Sequence, residues 1–186
     1  MARFQALLAE IRDVQTQIVR LTPYSDFGLC PNPAASRVAI EAAERRIGCT
    51  LPPSYRAFLR ESDGWPRFYD GAALLGTASL GRRLYEDLVR AAFEAAETPV
   101  KHLGPPRRRE PRALIAFGAD MQATTLFAFN PVVSRPDGEL EVIAWVGEIG
   151  VRRASFPDFL ELVLELCRAE LASHGQAPAQ SLRQSA

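Results

Sequence analysis

The sequence predicts a single domain that combines helices with an antiparallel sheet, and three observations support this prediction. Apolar residues at helical spacing open the chain between residues 4 and 21, and a second such stripe follows Ser155. Between them, residues 113–146 form short apolar runs separated by turn residues, which is typical of antiparallel strands. The 186 residues, 47% of them apolar, suffice for one hydrophobic core and leave little room for a second.

Three helices are predicted in the first third of the chain. The first ends at Thr22–Pro23, where its apolar stripe stops. The second begins at Ser36, a residue type that caps helix N-termini, and ends before Gly48, which suits a left-handed C-terminal cap. The third begins within Leu51–Ser54, because proline is tolerated in a first helical turn, and ends at Gly64.

Two strands, a helix and a loop are predicted next. Asp70–Gly71 separates two short apolar runs and is a typical hairpin turn. A helix is expected from Leu84 to Glu97, with apolar residues at helical spacing on one side. Residues 98–112 hold four prolines and five basic residues, so we expect an exposed loop there.

The clearest strands lie in the following block. Asn130–Pro131 is expected to end the second of them, and Asp137–Gly138 to turn the chain into the third. This order predicts an antiparallel meander. Its three strands are Ala113–Phe117, Thr124–Phe129 and Leu140–Val146.

A last helix is predicted from Ser155, with Asp158 three residues later as in a capping box. After His174 the composition changes to Gly, Gln, Pro, Ser and Ala. The domain is therefore predicted to span residues 1–175, with residues 176–186 as a flexible tail.

Composition and charge argue against several classes of protein. The 22 basic and 22 acidic residues balance, so no strong net field attracts nucleic acid or an anionic membrane. Glu10 and Asp13 lie where an export signal would be apolar, and no apolar run approaches the roughly 18 residues of a membrane span. The three widely spaced cysteines favour reduced thiols. We therefore expect a cytoplasmic protein that contacts neither membrane nor nucleic acid directly.

Residues suited to catalysis are few. His102 and His174 have no partner at the spacing of a metal site. The glycine spacing of Gly76–Gly81 is that of a phosphate loop, but Arg82–Arg83 stand where lysine and a hydroxyl residue are required, which favours a structural connection. Cys167 lies on an apolar helical stripe and is expected in the core. The sequence thus predicts no enzyme, no cofactor and no metal site.

Two clusters of charge have both an ordinary and a functional explanation. Lys101, Arg107–Arg109 and Arg112 form either a solvated loop or a contact for an acidic partner or nucleic acid. The segment 113–150 carries five acidic residues against a single arginine, and these form either ordinary surface charge or a binding surface. The five are Asp120, Asp137, Glu139, Glu141 and Glu148.

Three stretches of the chain carry a recognisable combination of motifs. Ala43–Gly64 holds a helix ending in Ile-Gly, then Leu-Pro, an aromatic residue three positions on, Phe-Leu and a closing Gly. Leu114–Asp120 is an apolar strand that ends at a small residue and an acid, and Ala154–Leu160 begins the C-terminal helix. Together these stretches resemble the SUKH superfamily of Smi/Knr-like domains, with matching order and spacing over about residues 36–172. Met121–Thr124 departs from the family, which often has glycine and a second acid there.

The resemblance implies an α+β fold, with a mostly antiparallel sheet flanked by helices, that binds other proteins. Residues 1–21 then form an added N-terminal helix. Bacterial members are mostly immunity proteins, and fungal members are regulatory scaffolds. The resemblance therefore predicts an immunity protein that neutralises a cognate toxin acting in the cytosol, such as a nuclease or a nucleotide-modifying enzyme. The alternative is a regulatory interaction module that has no toxin, since a fold does not fix a function.

Two surfaces are candidates for contact with the toxin. The first contains Trp65, Arg67 and Tyr69, because Trp, Arg and Tyr are enriched at binding hot spots. The alternative for this stretch is that Trp65 and Phe68 close the edge of the core. The second surface consists of four carboxylates that would mimic phosphate in a basic nuclease cleft. They are Asp120, Asp137, Glu139 and Glu141.

Overall fold

The computed structural model of the protein describes residues 2–22, 24–95, 114–146 and 149–181. In these ranges the helices are α1 (Ala2–Leu21), α2 (Arg37–Ile47), α3 (Pro53–Glu61), α4 (Arg83–Ala95) and α5 (Phe156–Ser181). The strands are β1 (Trp65–Tyr69), β2 (Ala72–Leu74), β3 (Ile115–Ala119), β4 (Thr125–Ser134), β5 (Leu140–Val146) and β6 (Ile149–Arg153). The predicted loop 98–112, with its basic cluster and His102, and Glu148 lie outside the described residues.

The six strands form one antiparallel sheet in which sequence neighbours are also spatial neighbours, in the order β1-β2-β3-β4-β5-β6. Tyr69 pairs with Ala72, which confirms the hairpin around Asp70–Gly71. Because every strand reverses direction, the connections alternate between the two ends of the strands. The β1–β2 and β3–β4 turns lie at one end of the sheet, which we call the upper end, and the β4–β5 turn lies at the opposite, lower end. The predicted α+β fold with a mostly antiparallel sheet is confirmed.

Three elements differ from the prediction. The strand β4 continues through Asn130–Pro131 to Ser134, with a shift of register after Asn130. Proline has no N–H for the ladder and is tolerated at such an irregularity. The strand β6 is an additional strand, whose five residues include a glycine and two arginines. The helix α5 continues to Ser181, six residues into the segment predicted as a tail.

Tyr55 lies at the centre of the hydrophobic core. Its fully buried ring lies 5.0–5.4 Å from four phenylalanine rings on α3, β3, β4 and α5. These are Phe58, Phe117, Phe129 and Phe156. The Tyr55 hydroxyl donates a hydrogen bond of 2.7 Å to the carbonyl oxygen of Leu75, so its burial leaves no donor without a partner. Burial raises the pKa of Tyr55 well above its ordinary value.

The helix α1 belongs to the same core and packs along α5. Its buried residues keep the spacing that predicted an amphipathic helix: Phe4, Leu7, Leu8, Ile11, Val14 and Ile18. Gln15, also buried, donates from Nε2 to the carbonyl oxygen of Phe68 at 2.5 Å and so joins α1 to β1. Glu10 and Arg168 form an ion pair between the two helices. Cys167 is fully buried as predicted, and burial raises the pKa of its thiol to about 12.

Candidate protein-binding clefts

Two clefts open at opposite ends of the strands of the sheet. The upper cleft, about 780 Å³ in volume, lies between the α1–α2 connection, the β1–β2 hairpin, the β3–β4 turn and the C-terminal half of α5. The lower cleft, about 640 Å³, lies between the first turn of α3, the β4–β5 turn and the start of α5. Arg67, Tyr69 and Asp120 line the upper cleft, whereas Asp137 and Glu139 line the lower one. The fold therefore divides the predicted binding residues between two separate surfaces.

Arg67 is exposed because the backbone of β1 is irregular. Its φ of 49° lies in the left-handed region, and the register of β1 against β2 shifts between Trp65 and Tyr69. Pro66 and Arg67 are therefore both exposed, where a regular strand would turn one of them inward. The Arg67 guanidinium donates to Asp26 Oδ1 at 2.8 Å across the upper cleft.

Tyr69 is half-buried in the wall of the upper cleft. Burial, with smaller contributions from Cys167, Asp70 and Glu170, raises the pKa of Tyr69 to about 12. The phenol therefore stays protonated at neutral pH, and its hydroxyl remains able to donate a hydrogen bond.

Asp120 holds the β3–β4 turn in place. This buried carboxylate accepts hydrogen bonds from Thr124 Oγ1 at 2.6 Å and from the backbone N–H of Thr125 at 3.0 Å. Thr125 Oγ1 in turn donates to Asp70 Oδ2 at 2.6 Å, which links this turn to the β1–β2 hairpin. The next residue, Met121, is exposed and lines the same cleft. Asp120 thus orders the turns at the upper end of the sheet, and its neighbour Met121 contributes the accessible surface.

Trp65 closes the edge of the core and does not line either cleft. Its buried ring lies 5.3 Å from that of Phe68, and its Nε1–H donates to the carbonyl oxygen of Gly28. Of the two explanations that the sequence leaves open for Trp65, this burial favours the core: its indole holds the α1–α2 connection against β1. A contact through Trp65 would require the ring to leave the core.

Gly28 allows the α1–α2 connection to approach β1 closely. Its N–H donates to the carbonyl oxygen of Arg67 at 2.8 Å, and a Cβ at this position would lie 1.9 Å from the carbonyl oxygen of Pro66. Any side chain would therefore push the connection away from the strand. Because the connection supplies one wall of the upper cleft, Gly28 fixes the position of that wall.

Glu139 caps the helix α3 from across the lower cleft. Pro52 has no side-chain cap to offer and Pro53 has no N–H, so the first N–H of the helix is that of Ser54. Glu139 accepts hydrogen bonds from this N–H at 2.8 Å and from Ser54 Oγ at 2.7 Å. Asp137, by contrast, is exposed and lies 3.4 Å from Arg135 Nε.

Replacement of Glu139 by alanine is expected to lower the free energy of unfolding by about 1–2 kcal/mol, because α3 loses its cap. Urea unfolding measures the change. Asp137→Ala is the matched control and should change stability far less, since Asp137 is exposed. Equal unfolding midpoints for Glu139→Ala and the wild type would contradict the capping role.

Glu141 lies on neither cleft. Its Oε2 accepts hydrogen bonds of 2.8 Å from Asn130 Nδ2 and from Arg152 Nη1, which joins β4, β5 and β6. The side chains of Glu141 and Arg152 are only 12% and 15% exposed. The acidic surface predicted from the sequence is therefore not continuous. Asp120 binds the β3–β4 turn, Glu139 binds the first turn of α3, and Glu141 binds β4 and β6.

The two clefts differ in charge. The upper cleft has four carboxylates against the guanidinium of Arg67: those of Asp26, Asp70, Asp120 and Glu170. The lower cleft has three arginines and three carboxylates. His174 is half-buried in the upper cleft, with Nε2 4.0 Å from Glu170 Oε1. No local signal in the sequence marks Asp26 and Glu170 as site residues, because only the packing of the α1–α2 connection and α5 brings them to the hairpin.

Two kinds of reactive site, a metal centre and a phosphate loop, can be compared directly with the described residues. Within the described ranges, no three His, Cys, Asp or Glu side chains are arranged to hold a metal ion. In the glycine-bounded segment 76–81, the N–H and Oγ1 of Thr77 donate to Asp63, and the N–H of Leu80 donates to Gly76. These N–H groups face protein acceptors, as expected for a structural connection.

The fold and the clefts define an α+β domain in which a six-stranded antiparallel meander carries surface clefts at its turns. The chain belongs to the SMI1/KNR4 family (SUKH-1), which matches residues 34–162. This confirms the resemblance found in the sequence, and the family is generally of the immunity-protein type. A comparison with curated proteins gives no match. Among the helices described, none has both the length and the apolar character needed to cross a membrane.

Proposed function

We propose that this protein is an immunity protein that binds and occludes one cognate toxin in the cytosol. The observation that carries the proposal is the upper cleft, an open and negatively charged surface on a domain of the SUKH-1 family. It combines carboxylates with Tyr69 and Met121, whose residue types are enriched at protein interfaces.

Hydrogen bonds order part of the upper cleft without any partner. The hydrogen bonds from Thr124 and Thr125 to Asp120, and from Thr125 to Asp70, fix two of its turns relative to each other. Surfaces that are ordered beforehand lose less conformational entropy on binding. This supports a role in tight association with one specific protein.

The sign of the charge favours a toxin that acts on nucleic acid. A nuclease must neutralise phosphates with lysine and arginine, so its active cleft is basic. An acidic cleft complements such a surface, raises the rate of association and blocks access of the substrate. A nucleotide-modifying toxin would present similar groups.

The test is co-expression with a toxin encoded beside the gene of this protein. We expect the full-length protein to restore growth of cells that make the toxin, and to form a stable complex with a catalytically inactive form of the toxin. A toxin that remains lethal and unbound would refute the proposal. A stable complex with a non-toxic bacterial protein instead would favour the alternative, a regulatory interaction module.

The purified protein is expected to have no turnover of its own. It should neither cleave nucleic acid nor hydrolyse nucleotides, with or without divalent metal ions. Activity that co-purifies through several columns and disappears in a point variant of this chain would contradict a function by binding alone. A variant in the upper cleft, Tyr69→Phe, and one in the lower cleft, Asp137→Asn, would locate such an activity.

A further inference from the structure

We propose that the upper cleft binds an arginine or lysine side chain from a basic segment of the partner, with Tyr24 and Met121 contacting the apolar surface around that cation. This inference rests on the proposed function, because it names the partner chemistry at the same site. The occupant is thus a protein segment that carries positive charge and an apolar flank.

Two exposed apolar side chains lie on chain segments that form walls of the upper cleft. Tyr24 is 98% exposed and immediately precedes the cleft residue Ser25 in the α1–α2 connection. Met121 is 82% exposed and lines the cleft at the β3–β4 turn. A partner that covers the cleft and these two residues would bury their apolar surface, which favours binding. Tyrosine and methionine suit such contacts, because tyrosine buries a large area and methionine adapts its shape.

The excess of carboxylates in the upper cleft favours binding of a cation. Asp26, Asp70, Asp120 and Glu170 outnumber Arg67, so the cleft attracts a further positive group. Asp26 is already paired with Arg67, but the two side chains are 64% and 59% exposed. Pairs this exposed are weak and exchange readily with a competing cation. A guanidinium from the partner would therefore find Asp26 and Glu170 accessible.

The two walls of the upper cleft come from different parts of the chain. Asp70 and Asp120 lie inside residues 34–162, the segment matched by the family, and both hold turns through hydrogen bonds. Asp26 and Glu170 lie outside that segment, on the α1–α2 connection and on α5. Removing the charges of Asp26 and Glu170 therefore alters cation binding without disturbing the turns.

Methionine methyl groups give a direct test that needs no toxin. The chain has two methionines, so selective ¹³C labelling of the full-length protein yields signals from Met1 and Met121 alone. Titration with N-acetyl-arginine amide is expected to shift the Met121 signal to saturation, whereas the uncharged isostere N-acetyl-citrulline amide should not. Asp26→Asn/Glu170→Gln should weaken arginine binding about fivefold, the loss expected for two exposed ion pairs. Asp137→Asn in the lower cleft is the matched control and should bind as the wild type does.

Binding of the inactivated toxin supplies the second measurement. We expect the double variant to bind the toxin at least about tenfold more weakly, mainly through slower association, and the wild-type complex to weaken as salt rises. An unmoved Met121 signal, or equal shifts with arginine and citrulline, would overturn the inference. Toxin binding that is equal in the wild type and the double variant would also overturn it while leaving the proposed function intact. An arginine-specific shift without any toxin binding would support the cation site and refute the proposed function.

Discussion

Replacement of Phe58 by alanine is expected to lower the free energy of unfolding by about 3–5 kcal/mol, a large share of the stability of a single domain. Phe58 is fully buried on α3, with its ring 5.3 Å from that of Tyr55 and 5.9 Å from that of Phe156. Tyr55 cannot move into the vacated space without losing its hydrogen bond to Leu75. The cavity between α3 and α5 would therefore remain largely open.

Thermal unfolding followed by circular dichroism measures this change. A loss of this size corresponds to a melting temperature lower by about 10 °C in a domain of this length. Tyr24→Ala is the control, because it also removes an aromatic ring but from a side chain that is 98% exposed. If Phe58→Ala melts together with the wild type, α3 does not pack as described.

The parts of the fold that sequence analysis predicts are those with a local signal. Ser36 accepts a hydrogen bond from the N–H of Ala39, and Gly48 adopts a φ of 82°, as expected at the two ends of α2. Both ends depend only on residues within one turn of helix. The strand β6 and the final residues of β4 depend instead on pairing with the neighbouring strand β5, rather than on a signal within their own residues. Their composition is compatible with a loop, so the pairing is visible only in the structure.

Residue type predicts the candidate site less well than it predicts the helices. Trp65 is a frequent residue of binding hot spots, yet its indole is buried against Phe68 and Gly28. Arg67 is exposed as expected, but through a left-handed backbone that strand alternation does not predict. Asp26 becomes part of the site only because Gly28 lets its connection approach β1.

The predicted carboxylates also show why charge alone does not identify an interface. Asp120 orders a turn, Glu139 caps α3, and Glu141 pairs with Arg152. Replacing Asp137, Glu139 and Glu141 together would therefore change stability and surface charge at the same time. Asp137 is the least coupled of the three for binding experiments, because its side chain is exposed and its structural contacts are confined to its own turn, with the N–H of Glu139 at 3.1 Å and with Arg135.

Replacement of Glu141 by alanine is expected to lower the free energy of unfolding by about 3–5 kcal/mol, the usual loss when one partner of a buried ion pair is removed. The pair joins β5 to β6, and its side chains are 12% and 15% exposed. Nε and Nη2 of Arg152 are already buried without a hydrogen-bond partner. Without Glu141, the remaining charge of Arg152 would stay buried and unneutralised unless β6 moves away from the sheet.

Urea unfolding of three further variants separates the charge from the space it occupies. Asp137→Ala removes the same kind of carboxylate from an exposed turn and should leave the unfolding midpoint close to that of the wild type. Glu141→Leu/Arg152→Leu removes both charges and should be more stable than Glu141→Ala, since a buried pair replaced by apolar residues often loses little stability. Arg152→Leu alone should be destabilised, because it leaves the Glu141 carboxylate with Asn130 as its remaining hydrogen-bond donor among the described contacts. Equal stability of Glu141→Ala and Asp137→Ala would show that the ion pair does not hold β6 in the sheet.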